Sequence, residues 1–408
     1  MEITVLGAGV IGISTAYELA YRGHKVTVIE QNSGPAQETS FGNAGLIATG
    51  HAFSWNSPNL ISNVLKPNSN AKSAFKIKWS LSPELYKWGI KFLLNCSKKK
   101  FIEFSNSKRE LCQYSHILLK KIIEKENINC HYNTNGIYYL HRTNKGLNKS
   151  INKIKLFDGL FERYRILSKK ELSHPFMNNK FKGGLIFQED GSGDCNLFTQ
   201  LLEKKCKKLG VKFLYNSKVE HFKLINNKID EITINHKVYK SNNFIISFGP
   251  YSSQFQKQLN LSIPIYPVKG YSITLPIIDE VNIPDKSGID EDNFLAFSKF
   301  GSKMRITSKA EFSGFDKSLN SKVIEKLIVL TKNLFGDSLD YRNCIPWTGL
   351  RPITPKGTPY ICATKLQNLY LNTGHGHLGW SMASGSAKII SDIIENKTPQ
   401  INSDPFKI

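Results

Sequence analysis

Three glycines near the start of the chain carry the first chemical signal: Gly7-x-Gly9-x-x-Gly12, with Ala8, Val10 and Ile11 among them. Gly7 permits a tight turn, Gly9 lets the backbone approach a pyrophosphate, and Gly12 lets a helix pack close to a strand. A helix opening there offers free N–H groups and a partial positive charge to phosphates. Glu30 follows Gly12 by 18 positions. Its carboxylate can accept hydrogen bonds from a ribose diol and would repel a 2′-phosphate. A second small-residue segment, Thr39-Ser40-Phe41-Gly42-Asn43-Ala44-Gly45, follows within ten residues of Glu30. A third lies near the other end of the chain: Thr373-Gly374-His375-Gly376-His377-Leu378-Gly379-Trp380. A cofactor held by both ends of the chain is long and permanently bound. A helix N-terminus at the pyrimidine end of an isoalloxazine would stabilise the negative charge that develops at N1 and C2=O on reduction. That chemistry fits flavin better than nicotinamide.

These groups need elements to position them. Ile3-Thr4-Val5-Leu6 reads as a strand, the glycine turn opens a helix to about Arg22, and 25–30 reads as a second strand. That is one βαβ unit. Residues 33–58, rich in Gly, Ser, Asn and Pro, predict an extended loop. From Pro83 to about Asn127 the pattern is helical, with Leu111, Tyr114, Leu118 and Ile122 on one face. Strand patterns recur at 136–141, 211–215, 218–248, 265–275, 293–297, 304–312 and 369–372. Helical patterns lie at 197–209, 321–335 and from about Gly379 to Asn396. The mixed order predicts an α/β (α+β mixed) protein: a Rossmann-like GxGxxG domain interleaved with a mostly antiparallel one.

The chain has 408 residues, 40% apolar and 22% charged, which is globular composition. No apolar run approaches the ~18–20 residues of a spanning helix. Its 55 basic and 33 acidic residues leave a net charge of +22. The lysines are scattered among Asn and Ile, without nucleic-acid-binding signatures, so no nucleic-acid partner is expected. Attraction to an anionic membrane surface is the weaker alternative. Seven cysteines, an odd number without C-x-x-C, argue against a disulfide framework and for a reducing compartment. The ten histidines and seven cysteines show no ligand spacing, so no metal is expected.

The sequence resembles the D-amino-acid oxidase superfamily of FAD-dependent amine-oxidising enzymes, and within it the bacterial D-amino-acid dehydrogenases. The matching stretches run nearly end to end. They include Val5 to Gly12, Glu38-Thr39-Ser40, Asn43-Ala44-Gly45, Asp190-x-x-Gly193-Asp194-Cys195, Tyr266-Pro267-Val268-Lys269-Gly270-Tyr271-Ser272, Trp347-Thr348-Gly349-Leu350-Arg351-Pro352 and Leu371 to Trp380. Two stretches depart from the family pattern: Lys356-Gly357-Thr358-Pro359, and Arg305-Ile306-Thr307-Ser308-Lys309 where Arg-x-Gly-Gly is expected. Both add bulk or charge near the expected site.

The resemblance implies FAD as cofactor and oxidation of a D-amino acid to an imino acid, by hydride transfer from Cα to flavin N5. Water then releases a 2-oxo acid and ammonia. Such a reaction needs orientation more than a strong base, and an arginine fork matches a carboxylate. Arg351 is the implied carboxylate ligand, with Tyr271 beside it. Arg305, Lys269, His51 and Trp55 are candidates for lining the pocket. Implied cofactor contacts are Gly7, Ala8, Gly9, Val10, Ile11, Gly12, Glu30, Thr39, Ser40, Asn43, Ala44, Gly45, Val219, Gly249, Gly374, His375, Gly376, Leu378 and Gly379. The implied FAD-binding domain comprises 1–80, 188–262 and 344–408, and the substrate-binding domain 81–187 and 263–343. The resemblance also implies electron delivery to a quinone or respiratory-chain acceptor. The protein is expected in the cytoplasm, with peripheral association to the inner membrane as an option. Rival readings are an oxygen-using oxidase of glycine, sarcosine or a cyclic imino acid, and a basic flavoprotein that binds nucleic acid.

Overall fold

The computed structural model describes residues 1–58, 75–77, 82–157, 164–172, 174–177 and 180–408. Six strands form the first sheet, in the order Tyr360–Ala363, Leu369–Thr373, Asn243–Ile246, Glu2–Leu6, Lys25–Ile29 and Lys212–Leu214. Neighbours run parallel except for the outer pair Tyr360–Ala363 and Leu369–Thr373. Parallel strands require crossovers, which cover both faces and favour continuous apolar runs. Ile3, Val5, Val26, Val28, Phe244, Ile245 and Ile246 are accordingly buried. The helix Val10–Tyr21 packs on Cys195–Lys208 and on Gly379–Ile394. Arg22 fastens this arrangement, bonding Glu18 at 2.8 Å and Asp392 and Glu395 at 2.7 Å each.

The second sheet runs Ile345–Ile353, Tyr266–Pro276, Lys303–Phe312, Leu295–Phe300, Gly288–Asp290, Ile137–His141, Gly183–Phe187 and Tyr164–Ser168. The short strand Phe75–Ile77 pairs with the end of Lys303–Phe312. Pairing is antiparallel except at Phe75–Ile77 and between Gly288–Asp290 and Ile137–His141. One face buries Ile273, Leu275, Met304 and Ile306 against Leu327, Leu334 and Phe335 of the helix Ser321–Phe335. A further three-stranded sheet holds Val219–Ile225, Lys228–Ile234 and Lys237–Tyr239.

Several local features differ from expectation. The helical pattern over 83–127 forms two helices, Pro83–Leu93 and Lys98–Glu126. Ser82 accepts from Leu85 N and Ser97 from Lys100 N, so each helix starts with its own cap. The helix Asn144–Ile154, capped by Thr143, and the strands Tyr164–Ser168 and Gly183–Phe187 lack a clear sequence period. The expected division also put 344–408 wholly with the first sheet and 75–77 likewise. Ile345–Ile353 instead pairs with Tyr266–Pro276, and Phe75–Ile77 lies in the same second sheet. Ile345–Ile353 is an edge strand, where Pro346 and Pro352 lose no needed donor. Those prolines disguise the strand in the sequence.

Candidate active site

The three N-terminal glycines are required for different reasons. Gly7 holds φ 110°, and a Cβ there would lie 2.7 Å from the Ser247 carbonyl oxygen. A Cβ at Gly12 would run into the carbonyl of Gly7. Both are fixed by backbone against backbone. Gly9 has ordinary extended angles, φ −69° and ψ 176°, at the start of Val10–Tyr21. A Cβ there would meet only Ser40 Oγ, at 3.4 Å. The protein's own packing therefore does not demand glycine at position 9; its absence of a side chain keeps open space at a helix N-terminus.

That space belongs to a cleft lined by Gly7, Gly9, Val10, Ile11, Glu30, Thr39, Ser40, Asn43, Val219, Gly249, Gly374, His375, Gly376 and Gly379. Ala8, Gly12 and Gly45 are not among its lining residues. Ser40 Oγ accepts from Val10 N at 3.0 Å. Glu30 accepts from Ala8 N at 2.7 Å and from Asn32 N at 2.9 Å. Burial raises the Glu30 pKa despite these bonds. His375 Nε2 lies 2.8 Å from Ser386 Oγ, while its buried Nδ1 has no hydrogen-bond partner. Burial pushes this imidazole down to about 3, so it is neutral.

A second cavity continues from Thr39, Asn43, Ala44 and Gly376 past Leu378. Arg351, His51 and Trp55 line it. The Arg351 side chain lies flat across Gly270, where a Cβ would sit 2.5 Å from Cζ. Its Nη1 donates to the Lys309 carbonyl at 2.7 Å. Lys309 sits at φ 65° where the register between Tyr266–Pro276 and Lys303–Phe312 slips. The bulge turns its carbonyl toward Arg351. No carboxylate among the described residues pairs with Arg351, and burial alone pushes its pKa down to about 10. A half-buried guanidinium that faces a cavity without a carboxylate beside it favours an anion there.

Across the cavity the expected His51 is joined by two residues that the sequence did not single out, Lys153 and Glu291. His51 stacks on Tyr139, with ring centroids 4.5 Å apart, and its Nε2 lies 3.2 Å from Glu291 Oε1. Lys153 Nζ sits 3.7 Å from the Phe53 ring centroid. Burial raises the Glu291 pKa and lowers those of His51 and Lys153. Trp55 stacks on His377 at 5.0 Å, and burial beside Lys108 and Arg351 holds His377 neutral. Asp190 is fully buried and accepts from Thr49 N, Thr49 Oγ1 and Gly50 N, each at 2.8 Å. It also accepts from Tyr139 Oη at 2.9 Å. This carboxylate thus ties the loop bearing His51 to the second sheet. Trp347 lies against both Gly42 and Gly349. The signal for Trp347 and His377 was present, since both stand inside the quoted motifs; Lys153 and Glu291 stand in none.

Lys269 and Arg305 lie outside the cavity, and Tyr271 meets it without offering its hydroxyl. Strand residues alternate between faces, so Lys269 and Tyr271 share the face opposite Gly270 and Arg351. Tyr271 borders the cavity, but its hydroxyl donates to Glu311 at 3.0 Å. Lys269 is buried and bonds Asp316 at 3.3 Å. Arg305 is not among the cavity residues. Its guanidinium donates to the Phe41 carbonyl at 3.0 Å and to Thr274 Oγ1 at 3.2 Å, stapling the 41–43 loop to the sheet. Lys356 points outward, donating to the Lys407 carbonyl, whereas Lys309 does line the cavity.

The space kept open at Gly9, the helix N-terminus beside it and the orphaned His375 nitrogen fit a large dinucleotide. Residues 2–393 match the FAD dependent oxidoreductase family. The chain belongs to this family. Its relatives include a D-amino acid dehydrogenase of Vibrio atlanticus, 36% identical over 414 residues, covering 100% of this chain and 99% of the relative. The D-amino acid dehydrogenase 1 of Mesorhizobium japonicum is 37% identical over 408 residues, covering 99% and 98%. Among solved structures, a glycine oxidase of Geobacillus kaustophilus is similar with a TM-score of 0.78 at 17% identity, covering 99% of this chain and 97% of that one. An L-proline dehydrogenase of P. horikoshii reaches 0.71 at 18%, covering 99% and 96%. These two establish the shared fold. Members of this family use FAD, and the mixed α/β architecture with its two sheets is the fold of the family.

Proposed function

We propose that this FAD dependent oxidoreductase oxidises D-amino acids to 2-oxo acids and ammonia and delivers the electrons to a quinone-type acceptor. The observation that carries the reading is Arg351, half-buried in the wall of a cavity contiguous with the cofactor cleft and, among the described residues, without a carboxylate partner. Full-length relatives named D-amino acid dehydrogenase support the substrate class.

Arg351 would hold the substrate carboxylate bidentately, the arrangement that fixes both position and rotation. Gly270 gives the guanidinium its clearance, and the Lys309 carbonyl orients it. The substrate ammonium must lose a proton before the Cα–H bond breaks. The rings of His51 and His377 line the same cavity, but burial and the nearby cations keep both neutral, so the amine reacts as the free base supplied by its own titration. The backbone around Gly9, the N-terminus of Val10–Tyr21, Glu30 and the Gly374–Gly379 segment would hold FAD. When bound, FAD supplies the two-electron acceptor for the hydride from Cα.

The test is anaerobic bleaching of the flavin by D-alanine beside L-alanine, glycine and proline. Bleaching by D-alanine alone, with reoxidation by a soluble quinone and little hydrogen peroxide in air, is the expected result. Bleaching by glycine or proline with stoichiometric peroxide would replace this reading with an oxidase. A flavin that no amine reduces would remove amine oxidation altogether.

A further inference from the structure

The helix Pro83–Leu93 has two apolar faces, and only one is covered. Leu85, Trp88 and Phe92 are buried against Tyr266, Val268 and Ile353 of the second sheet. Trp88 Nε1 donates to the Ile353 carbonyl at 2.9 Å, two residues from Arg351. On the outer side Tyr86 is 47% exposed, Ile90 60%, Leu93 52% and the following Leu94 70%. Spacings of four, three and one put them on one stripe. No other helix among the described residues exposes more than one large apolar side chain.

The stripe is bordered by positive charge. Lys87, Lys98 and Lys99 are exposed beside it. Lys91 reaches only a serine, Ser262, at 3.1 Å. Lys100 Nζ donates to the Leu94 carbonyl at 2.9 Å, which places an ammonium at the end of the stripe. Over residues 83–100 the sequence has one carboxylate, Glu84, against Lys87, Lys91, Lys98, Lys99 and Lys100. A protein partner would need a matching acidic apolar surface. A bilayer with anionic headgroups supplies both complements at once: acyl chains for the stripe and phosphates for the lysines. No helix among the described residues is long and apolar enough to cross a membrane, so the contact is interfacial.

We propose that the outer face of Pro83–Leu93, with Leu94 and the flanking lysines, docks this protein onto an anionic lipid surface. Docking there would bring the membrane close to the end of the strand that bears Arg351, through the helix that covers Ile353. The surface does not depend on which amine is oxidised.

The test is flotation of the FAD-loaded protein with vesicles of phosphatidylcholine, alone and with about a third phosphatidylglycerol. Binding to the anionic vesicles, weakened by high salt, is expected. The double variant Ile90→Glu/Leu94→Glu should lower the partition coefficient about tenfold or more. Ile117→Glu, at an exposed apolar residue on another helix, should leave it unchanged. Bound flavin and amine turnover with a soluble dye report that the variants are folded, and failure of that turnover in the wild type would bear on the enzymatic reading alone. Wild-type protein that stays unbound overturns the proposal. So does a double variant that binds like wild type, which would assign binding to the scattered lysines. A concentration-dependent dimer abolished by the double variant, without vesicle binding, would assign the face to a second copy of the chain.

Discussion

Around Gly9 the space is lined mainly by glycines and main-chain N–H groups, with small side chains such as Thr39, Ser40 and Asn43 and one carboxylate already bonded to the backbone. Around Arg351 the lining groups are side chains: a guanidinium held by a carbonyl, two neutral imidazoles, and Lys153 near Glu291. The first region is one turn of chain between neighbouring strands. The second draws on Ile345–Ile353, Tyr266–Pro276, the bulge at Lys309 and the loops after Gly288–Asp290 and Leu46–Ile47. A cleft made of backbone tolerates variation in everything but its glycines. A cavity made of side chains can change its ligand while the sheet beneath stays the same.

The comparison can be broken most severely at Gly9. Gly9→Val should fill the open space and yield protein without bound FAD, read from the visible flavin absorbance of the purified chain. A yellow, loaded variant would show that position 9 does not face the cofactor. Next is Arg351→Met, which should keep its FAD yet lose about a hundredfold or more in kcat/KM for D-alanine. Retained efficiency would take Arg351 out of the carboxylate role.

Asp190, which ties the loop bearing His51 to the second sheet, sharpens the contrast through pH. Burial pushes its pKa up to about 6, above the unfolded carboxylate range. The folded chain therefore binds the proton more tightly. Its contribution to stability is largest at low pH and falls as pH rises through the window from about 4 to about 6. Asp190→Asn lacks this titration. The stability of wild type relative to that variant should fall across the window by at most about 3 kcal/mol, measured by denaturant unfolding. A constant difference would mean that Asp190 stays ionised.

A smaller effect is expected at Gly270→Ala, whose methyl would press on the guanidinium: about tenfold in kcat/KM, with FAD content unchanged. The smallest is Lys309→Gly. The carbonyl that holds Arg351 remains, and glycine accepts φ 65° without strain. Catalytic efficiency with D-alanine should change little; a large loss would assign the role to the lysine side chain instead of the bulge.

The cofactor half of the molecule was legible early because its signals are local. Gly7, Gly9, Gly12 and Glu30 span two strands and the helix between them, and each residue type answers a constraint within that unit. The second half was legible only in part. Arg351 was found through its motif, yet Tyr271 and Lys269 were placed beside it although the pleat sends them to the other face. Arg305 was read as a pocket residue because its charge was visible and its partners, Phe41 and Thr274, were not. Lys153 and Glu291 carried no motif at all, since their proximity to His51 depends on how loops from three elements meet.

By itself, the sequence determined the βαβ unit, the dinucleotide chemistry, the family and the arginine suited to a carboxylate. All of these rest on residue types whose constraints lie within a few positions of chain. Tertiary structure alone decided which face each strand residue presents and that Ile345–Ile353 joins the second sheet. It also decided that Arg351 is left without a carboxylate partner and that Pro83–Leu93 exposes an apolar stripe. Those outcomes, the Arg351 one as seen among the described residues, depend on pairing register and on burial by distant elements, and a one-residue shift in register would reverse the faces.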